Sequence, residues 1–265
     1  MAGLDSYIIK PELFTGKLKT LVYGEPGSGK TFLAGTSQDH PDMRNTHFFN
    51  IDGGMLTLAE RGDIEATDIK TLDQLESELY RIVAVDSKYA NIHTAVIDNV
   101  TELQTLALEG RTRAEFNERR KKDKTYTIDD VYIEDYGTSG KQLARVLRGF
   151  RDLPINVIYI AHKKDKKRKN SDIIEESKPS LTEKLCTAVM GYMDFVWYLY
   201  TSDIPTTVGD NQTINITHRF MLTQPYNGFI CKTRGTRFAA AMGGVVQDPT
   251  FPEIMDLYLE CGGLK

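Results

Sequence analysis

Gly24-Glu25-Pro26-Gly27-Ser28-Gly29-Lys30-Thr31 has a glycine, four intervening residues and then Gly-Lys-Thr, the spacing of a loop that cradles phosphates. Glycines let backbone N–H groups converge on an anion, and a helix beginning at the lysine adds the partial positive charge of its N-terminus. In such a loop Lys30 would reach the β- and γ-phosphates, and Thr31 would offer its hydroxyl to Mg²⁺. Phe32 follows directly and completes the run of cofactor-binding positions. The chemistry open to these residues is the binding of ATP with Mg²⁺ and the transfer of its terminal phosphoryl group. A glycine-rich turn that binds nothing is the plain alternative.

Further along, His93-Thr94-Ala95-Val96-Ile97-Asp98 is an apolar run ending in a carboxylate. A buried strand whose last residue faces a nucleotide has this form, because a hard cation prefers oxygen ligands. Asp98 is therefore the second expected contact to Mg²⁺, although a strand simply ending in a loop reads the same way. Ile155 to Ile160 is another β-rich run, delivering Ala161-His162 and then Lys163-Lys164-Asp165-Lys166-Lys167-Arg168-Lys169. His162 is either a structural hydrogen-bonder or a sensor, since it stands where ligands of open α/β sheets collect, at the carboxyl edge. Lys163, Lys164, Lys166, Lys167, Arg168 and Lys169 are either a solvated loop or a surface for nucleic-acid phosphates.

These positions need a scaffold, and the chain supplies one. Leu18 to Tyr23 is a short apolar run before the phosphate loop, and Phe32-Leu33-Ala34 continues into a helix that ends before His40-Pro41. Thr46 to Ile51 is a second strand, ending in Asp52-Gly53-Gly54. Leu72, Leu75, Leu79, Ile82 and Val83 repeat at helical spacing, as do Leu143, Val146, Leu147 and Phe150. The last third is strand-like at Phe195–Tyr200, Arg219–Thr223 and Phe229–Lys232. Gln224-Pro225-Tyr226-Asn227-Gly228 predicts that the last two form an antiparallel hairpin. The expected fold is α/β, a mainly parallel sheet flanked by helices with that hairpin at its C-terminal end.

The chain has 265 residues, 40% of them apolar, and a formal charge of −4. One domain spanning 1–265 fits this size. Residues 1–17 read as an N-terminal arm, 110–136 as a charged stretch that is either a solvated helix followed by a mobile loop or a patch tracking nucleic-acid phosphates, and 163–178 as a charged, mobile loop. The negative balance excludes a surface that coats nucleic acid everywhere, so contact must come from local basic patches. Cys186, Cys231 and Cys261 are far apart, which excludes a paired-cysteine zinc site and fits a reducing, cytoplasmic setting. No run is long and apolar enough to span a bilayer, so no membrane partner is expected.

The phosphate loop, Ile51-Asp52-Gly53-Gly54, Val96-Ile97-Asp98-Asn99, Asp135-Tyr136-Gly137 before a helix, Ile160-Ala161-His162 and Cys231-Lys232-Thr233-Arg234 together resemble the phage-encoded RecA-like ATPases of the single-strand annealing type. The resemblance covers about residues 18 to 240, and only the phosphate loop is specific by itself. It implies a RecA-like P-loop NTPase core that hydrolyses ATP, assembles as a ring or filament on single-stranded DNA, and pairs complementary strands in the cytoplasm of a bacterial host. A single-strand-binding protein is a further implied partner. It makes Lys30, Thr31 and Asp98 the phosphate and Mg²⁺ contacts and His162 a polar sensor. Lys232 and Arg234 resemble cationic fingers that enter a neighbouring subunit's site.

One departure concerns the acid that orients the attacking water. RecA has a glutamate after its second strand, whereas this chain offers Asp52 followed by two glycines. Asn99 after Asp98 also differs from the AAA+ arrangement, in which adjacent acids divide the work. The competing reading is an ATP-switched accessory or loader of DNA replication or repair with no strand-pairing activity. A small-molecule kinase is a third, with no acceptor-site acid to support it.

Overall fold

The computed structural model describes residues 16–208 and 212–262. Most of the expected N-terminal arm therefore lies outside the described residues. In chain order the elements are β1 (Lys19–Gly24), α1 (Lys30–Gly35), β2 (Thr46–Asn50), β3 (Glu65–Asp68), α2 (Leu72–Val83), β4 (Thr94–Asp98), α3 (Val100–Lys122) and α4 (Ile133–Asp152). There follow β5 (Asn156–Lys167), β6 (Ile174–Pro179), α5 (Glu183–Tyr192), β7 (Phe195–Val208), β8 (Gln212–Leu222), β9 (Lys232–Thr233), α6 (Thr236–Met242), β10 (Val245–Gln247) and α7 (Phe251–Glu260).

The sheet runs β10-β8-β7-β1-β5-β4-β2-β3, with β6 paired to β5 and β9 to β7. From β7 across to β3 every neighbour is parallel, and β6, β8, β9 and β10 are antiparallel additions. This is the expected α/β arrangement, a mainly parallel sheet with antiparallel strands at its C-terminal side. Side chains alternate across it. Leu21, Tyr23, Phe49, Ile97 and Tyr159 meet α2, α3, α4 and α5 on one face. Val22, Phe48, Val96, Ile158 and Trp197 meet α1, α6 and α7 on the other. Strands covered on both sides are why β1, β2 and β4 read as continuous apolar runs rather than alternating ones.

Three expectations are corrected. The hairpin joining 219–223 to 229–232 does not form: β8 instead pairs along eleven residues with β7, and Lys232-Thr233 pairs with the first residues of β7, Phe195 and Val196, on the side away from β1. The Asn227-Gly228 turn is real, with φ of 45° and 84°, but it closes only the isolated bridge Tyr226↔Phe229. The long β7–β8 ladder satisfies far more backbone groups than the short alternative could. Residues 163–178, expected as a loop, are largely the antiparallel pair β5–β6, from Lys163↔Pro179 to Lys167↔Ile174.

Within 110–136 the expected helix is the end of α3, which runs to Lys122, and the loop is 123–132, but Asp135 lies in the first turn of α4 rather than before it. The charge run also hides a buried pair. Both guanidinium ends of Arg119 reach the Asp135 carboxylate at 2.6 Å, Tyr126 Oη accepts from it at 3.1 Å, and its plane lies 4.4 Å from the Tyr132 ring centre. The Arg119 hydrogen bonds hold the Asp135 carboxyl below its ordinary range. Asp135 also accepts from the Tyr132 backbone N–H, which caps α4. Arg111 Nε lies 3.5 Å from the same carboxylate, but replacing Arg119 by Ala removes both of its short charged contacts, and we expect a loss of about 3 kcal/mol of stability. A thermal melt coinciding with the wild type would refute that.

Among the described residues no helix is long and apolar enough to cross a membrane.

Candidate nucleotide site

Strand β1 ends at Gly24, level with His162 on β5 and Leu199 on β7, so the phosphate loop emerges at the carboxyl edge of the sheet. Gly27 and Gly29 take φ of 78° and 88°, a region costly for other residues. They turn the backbone into α1, which starts at Lys30. Lys30 is only 6% exposed; its amine donates to the carbonyls of Gly24 and Glu25 at 3.2 and 2.7 Å. Burial lowers its pKa, opposed by the nearby Asp98, Asp52 and Glu25 carboxylates. Ser28 Oγ is buried in the same loop with no hydrogen-bond partner among the described residues.

Thr31 Oγ1 donates to Asp98 Oδ2 at 2.6 Å, which joins the first turn of α1 to the end of β4 across the intervening β5. Asp98 is 2% exposed. Burial, reinforced by Asp52, pushes its carboxyl up to about 6 against the lowering effects of Thr31 and Lys30. These two oxygens suit a hard cation. Among the described residues no group of three or more His, Cys, Asp or Glu gathers for a metal, so a Mg²⁺ here would take its remaining ligands from phosphate and water. Lys30, the glycine turns and this oxygen pair fit a nucleoside triphosphate with Mg²⁺.

Asp52, just past β2, lies across the site. Its Oδ1 accepts from Gly54 N at 3.0 Å, and its Oδ2 from Asn99 Nδ2 at 2.5 Å. Sequence reasoning noted Asn99 only as a missing acid; its position explains more. Asn99 Oδ1 caps α3 by accepting from Glu102 N at 2.8 Å, which turns the amide nitrogen toward both Asp52 and His162 Nε2, the latter at 3.2 Å. An amide nitrogen can only donate, so His162 accepts at Nε2 and carries its proton on Nδ1. That atom is buried without a partner among the described residues. Burial, and then Lys30, lower the His162 pKa, keeping the ring neutral near pH 7. The cap position of Asn99 before Val100-Thr101-Glu102 is the one sequence signal that could have placed it.

The structure brings Lys30, Thr31, Asp98, Asp52 and His162 to one edge. It does not bring Lys232 or Arg234 there. β9 pairs with Phe195 and Val196, at the amino end of β7. Lys232 Nζ donates to Met190 O, and Arg234 to Asp194 Oδ1, each at 2.6 Å. The basic stretch divides. Lys163 bridges Glu25 of the phosphate loop and Asp165, both at 2.8 Å; Lys167 pairs with Asp172 and Arg168 with Glu175. Lys164, Lys166 and Lys169 are exposed, with no ion pair among the described residues.

Compared with known proteins, residues 16–235 match the model of an AAA domain family, AAA_24. None of the curated proteins compared is similar in sequence. Among solved structures the chain is similar to the crystal structure of the RadB recombinase, at 15% identity and a TM-score of 0.42, over 79% of this chain and 83% of that one. The adjacent-acid arrangement is absent here, since Asn99 follows Asp98. The family match nevertheless runs from β1 through β9 and takes in the phosphate loop, Asp52, Asp98, Asn99 and His162. The chain therefore belongs to the AAA domain family.

Proposed function

We propose that this protein binds and hydrolyses ATP, oligomerises on single-stranded DNA as a RecA-like ring or filament, and promotes annealing or strand exchange in phage recombination inside a bacterial cytoplasm. The observation that carries the ATPase reading is the convergence of Lys30, the Thr31–Asp98 pair and the Asp52–Asn99–His162 chain on one loop. Lys30 would neutralise the terminal phosphates, and Thr31 and Asp98 would hold Mg²⁺, whose charge offsets that developing on the transferred group. Asp52, whose carboxylate accepts from Asn99, would orient the attacking water. Neutral His162 would sense the terminal phosphate through Asn99.

The DNA reading rests on Lys163. Its ion pair with Glu25 ties the phosphate loop to the β5–β6 hairpin, so a nucleotide that shifts Glu25 would move Lys164 and Lys166 with it. Single-stranded DNA binding measured with and without ATP, together with annealing of complementary strands, tests the proposal. Replacing Lys164 and Lys166 by Ala should weaken binding alike on all sequences and lower the log–log salt slope by about 0.7 per lost contact. An unchanged slope would remove the hairpin from the DNA surface.

A second reading, an ATP-switched loader or accessory without pairing activity, is favoured by one observation. Lys232 and Arg234 are engaged within their own chain, and must leave Met190 and Asp194 to act as fingers in a neighbour. ATP-dependent DNA binding without annealing would select that reading, with a single-strand-binding protein as the natural partner to assay.

A further inference from the structure

The carboxyl edge has two flanks. On one side of β1, the ends of β5, β4 and β2 carry His162, Asp98, Asn99 and Asp52; on the other lie β7 and β8. Arg219 of β8 stands opposite Thr201, beyond the level of the Gly24↔Leu199 pair. Its Nε and Cδ fill the space that a Cβ on Gly29 would occupy, and its guanidinium carbon lies 4.3 Å from the centre of the Phe32 ring.

The strand beneath this side chain is fixed. Asp248 Oδ1 accepts from Arg219 N at 2.9 Å, Asp248 N donates back to Arg219 O at 2.7 Å, and Asp248 Oδ2 engages His218 Nδ1 at 2.6 Å. The Asp248 carboxylate is thus committed to the backbone and to His218. Among the described residues the guanidinium of Arg219 has neither an ion pair nor a hydrogen-bond acceptor, although the residue is half-buried. Arginines removed from water normally find such partners. A planar cation backed by an exposed aromatic ring, against a phosphate loop, is a surface for a flat π-system.

The polarity of the site says which part of the nucleotide meets it. Lys30 and the acids of β4 and β2 mark the terminal-phosphate end, so the nucleoside end of a triphosphate held in the same loop points the opposite way, toward β8. We propose that Arg219, backed by Phe32, is the nucleobase platform of this site, on which the base of a nucleoside triphosphate stacks. This rests on the nucleotide-binding reading above.

Calorimetric titration of the full chain with ATP, ADP and inorganic tripolyphosphate, each with Mg²⁺, tests it. Arg219→Ala should weaken ATP and ADP alike, by about 10- to 100-fold, as loss of one stacked base does. Tripolyphosphate, which has no base, should bind as to the wild type. Arg219→Lys should behave like Arg219→Ala, because an ammonium keeps the charge without the plane. Equal weakening of tripolyphosphate would make Arg219 a phosphate ligand and overturn the proposal. So would a loss confined to ATP, or no loss at all. Should Arg219→Ala fail to fold, Phe32→Ala, at a position 41% exposed, should give the same selective loss. A wild-type chain that binds none of the three ligands would instead overturn the nucleotide site itself, and this platform with it.

Discussion

Lys30→Ala is expected to lower ATP affinity by about 100-fold or more while leaving the protein folded. The first half follows from charge. A buried ammonium is a strong partner for phosphate oxygens because little water competes with it, and a lost charge-assisted contact of this kind is worth about 2–3 kcal/mol or more. The second half follows from what Lys30 does otherwise. Its amine rests on two carbonyls of its own loop, and burial already depresses its pKa, so the folded state gains little from holding the charge. Removing it opens no gap between the two apolar faces of the sheet, which contain neither Lys30 nor its contacts. Calorimetry showing wild-type ATP affinity for a folded Lys30→Ala protein would mean that the loop is not the phosphate site.

How far the site could be read before its structure depended on whether each residue's role was local. The phosphate loop is a contiguous strand, turn and helix start, so its spacing alone predicts its shape. Asp98 and His162 end or follow apolar runs, and parallel pairing of β4, β5 and β1 then lines them up. Asn99 was half-legible, as a cap, but its contacts with Asp52 and His162 depend on how β2 and β5 flank β4. Arg219 was not legible at all. Its approach to Gly29 depends on β8 pairing with β7 rather than folding back on residues 229–232, and the strong Asn227-Gly228 turn signal pointed to the wrong partner. Arg119 failed for a related reason. In a run of charges, nothing local marks the one guanidinium that a carboxylate 16 residues away will bury.

Asp98→Asn should separate stability from catalysis. Asp98 is held by burial in a state that prefers its proton, with a folded pKa of about 6 against an ordinary value near 4. In Mg²⁺-free solution the folded protein therefore binds a proton more readily than the unfolded chain. The associated stabilisation is fully present below pH 4 and is lost as pH rises through 6. An asparagine never carries the buried charge. The variant should be more stable than the wild type at pH 8 by on the order of 3 kcal/mol, with the gap closing as pH falls toward 4. Hydrolysis should move the other way: an amide replaces the anionic oxygen beside Thr31, and Mg²⁺-dependent turnover should fall by about 100-fold or more. In the wild type, turnover at limiting Mg²⁺ should likewise decline as pH drops through 6, because the protonated carboxyl is a poor cation ligand, and added Mg²⁺ should push that decline to lower pH. Thermal melts of both proteins in chelator from pH 4 to 8, set beside turnover over the same range, decide the matter. A stability difference that does not change with pH would show that Asp98 keeps an ordinary pKa, and undiminished turnover in the variant would remove it from the Mg²⁺ site.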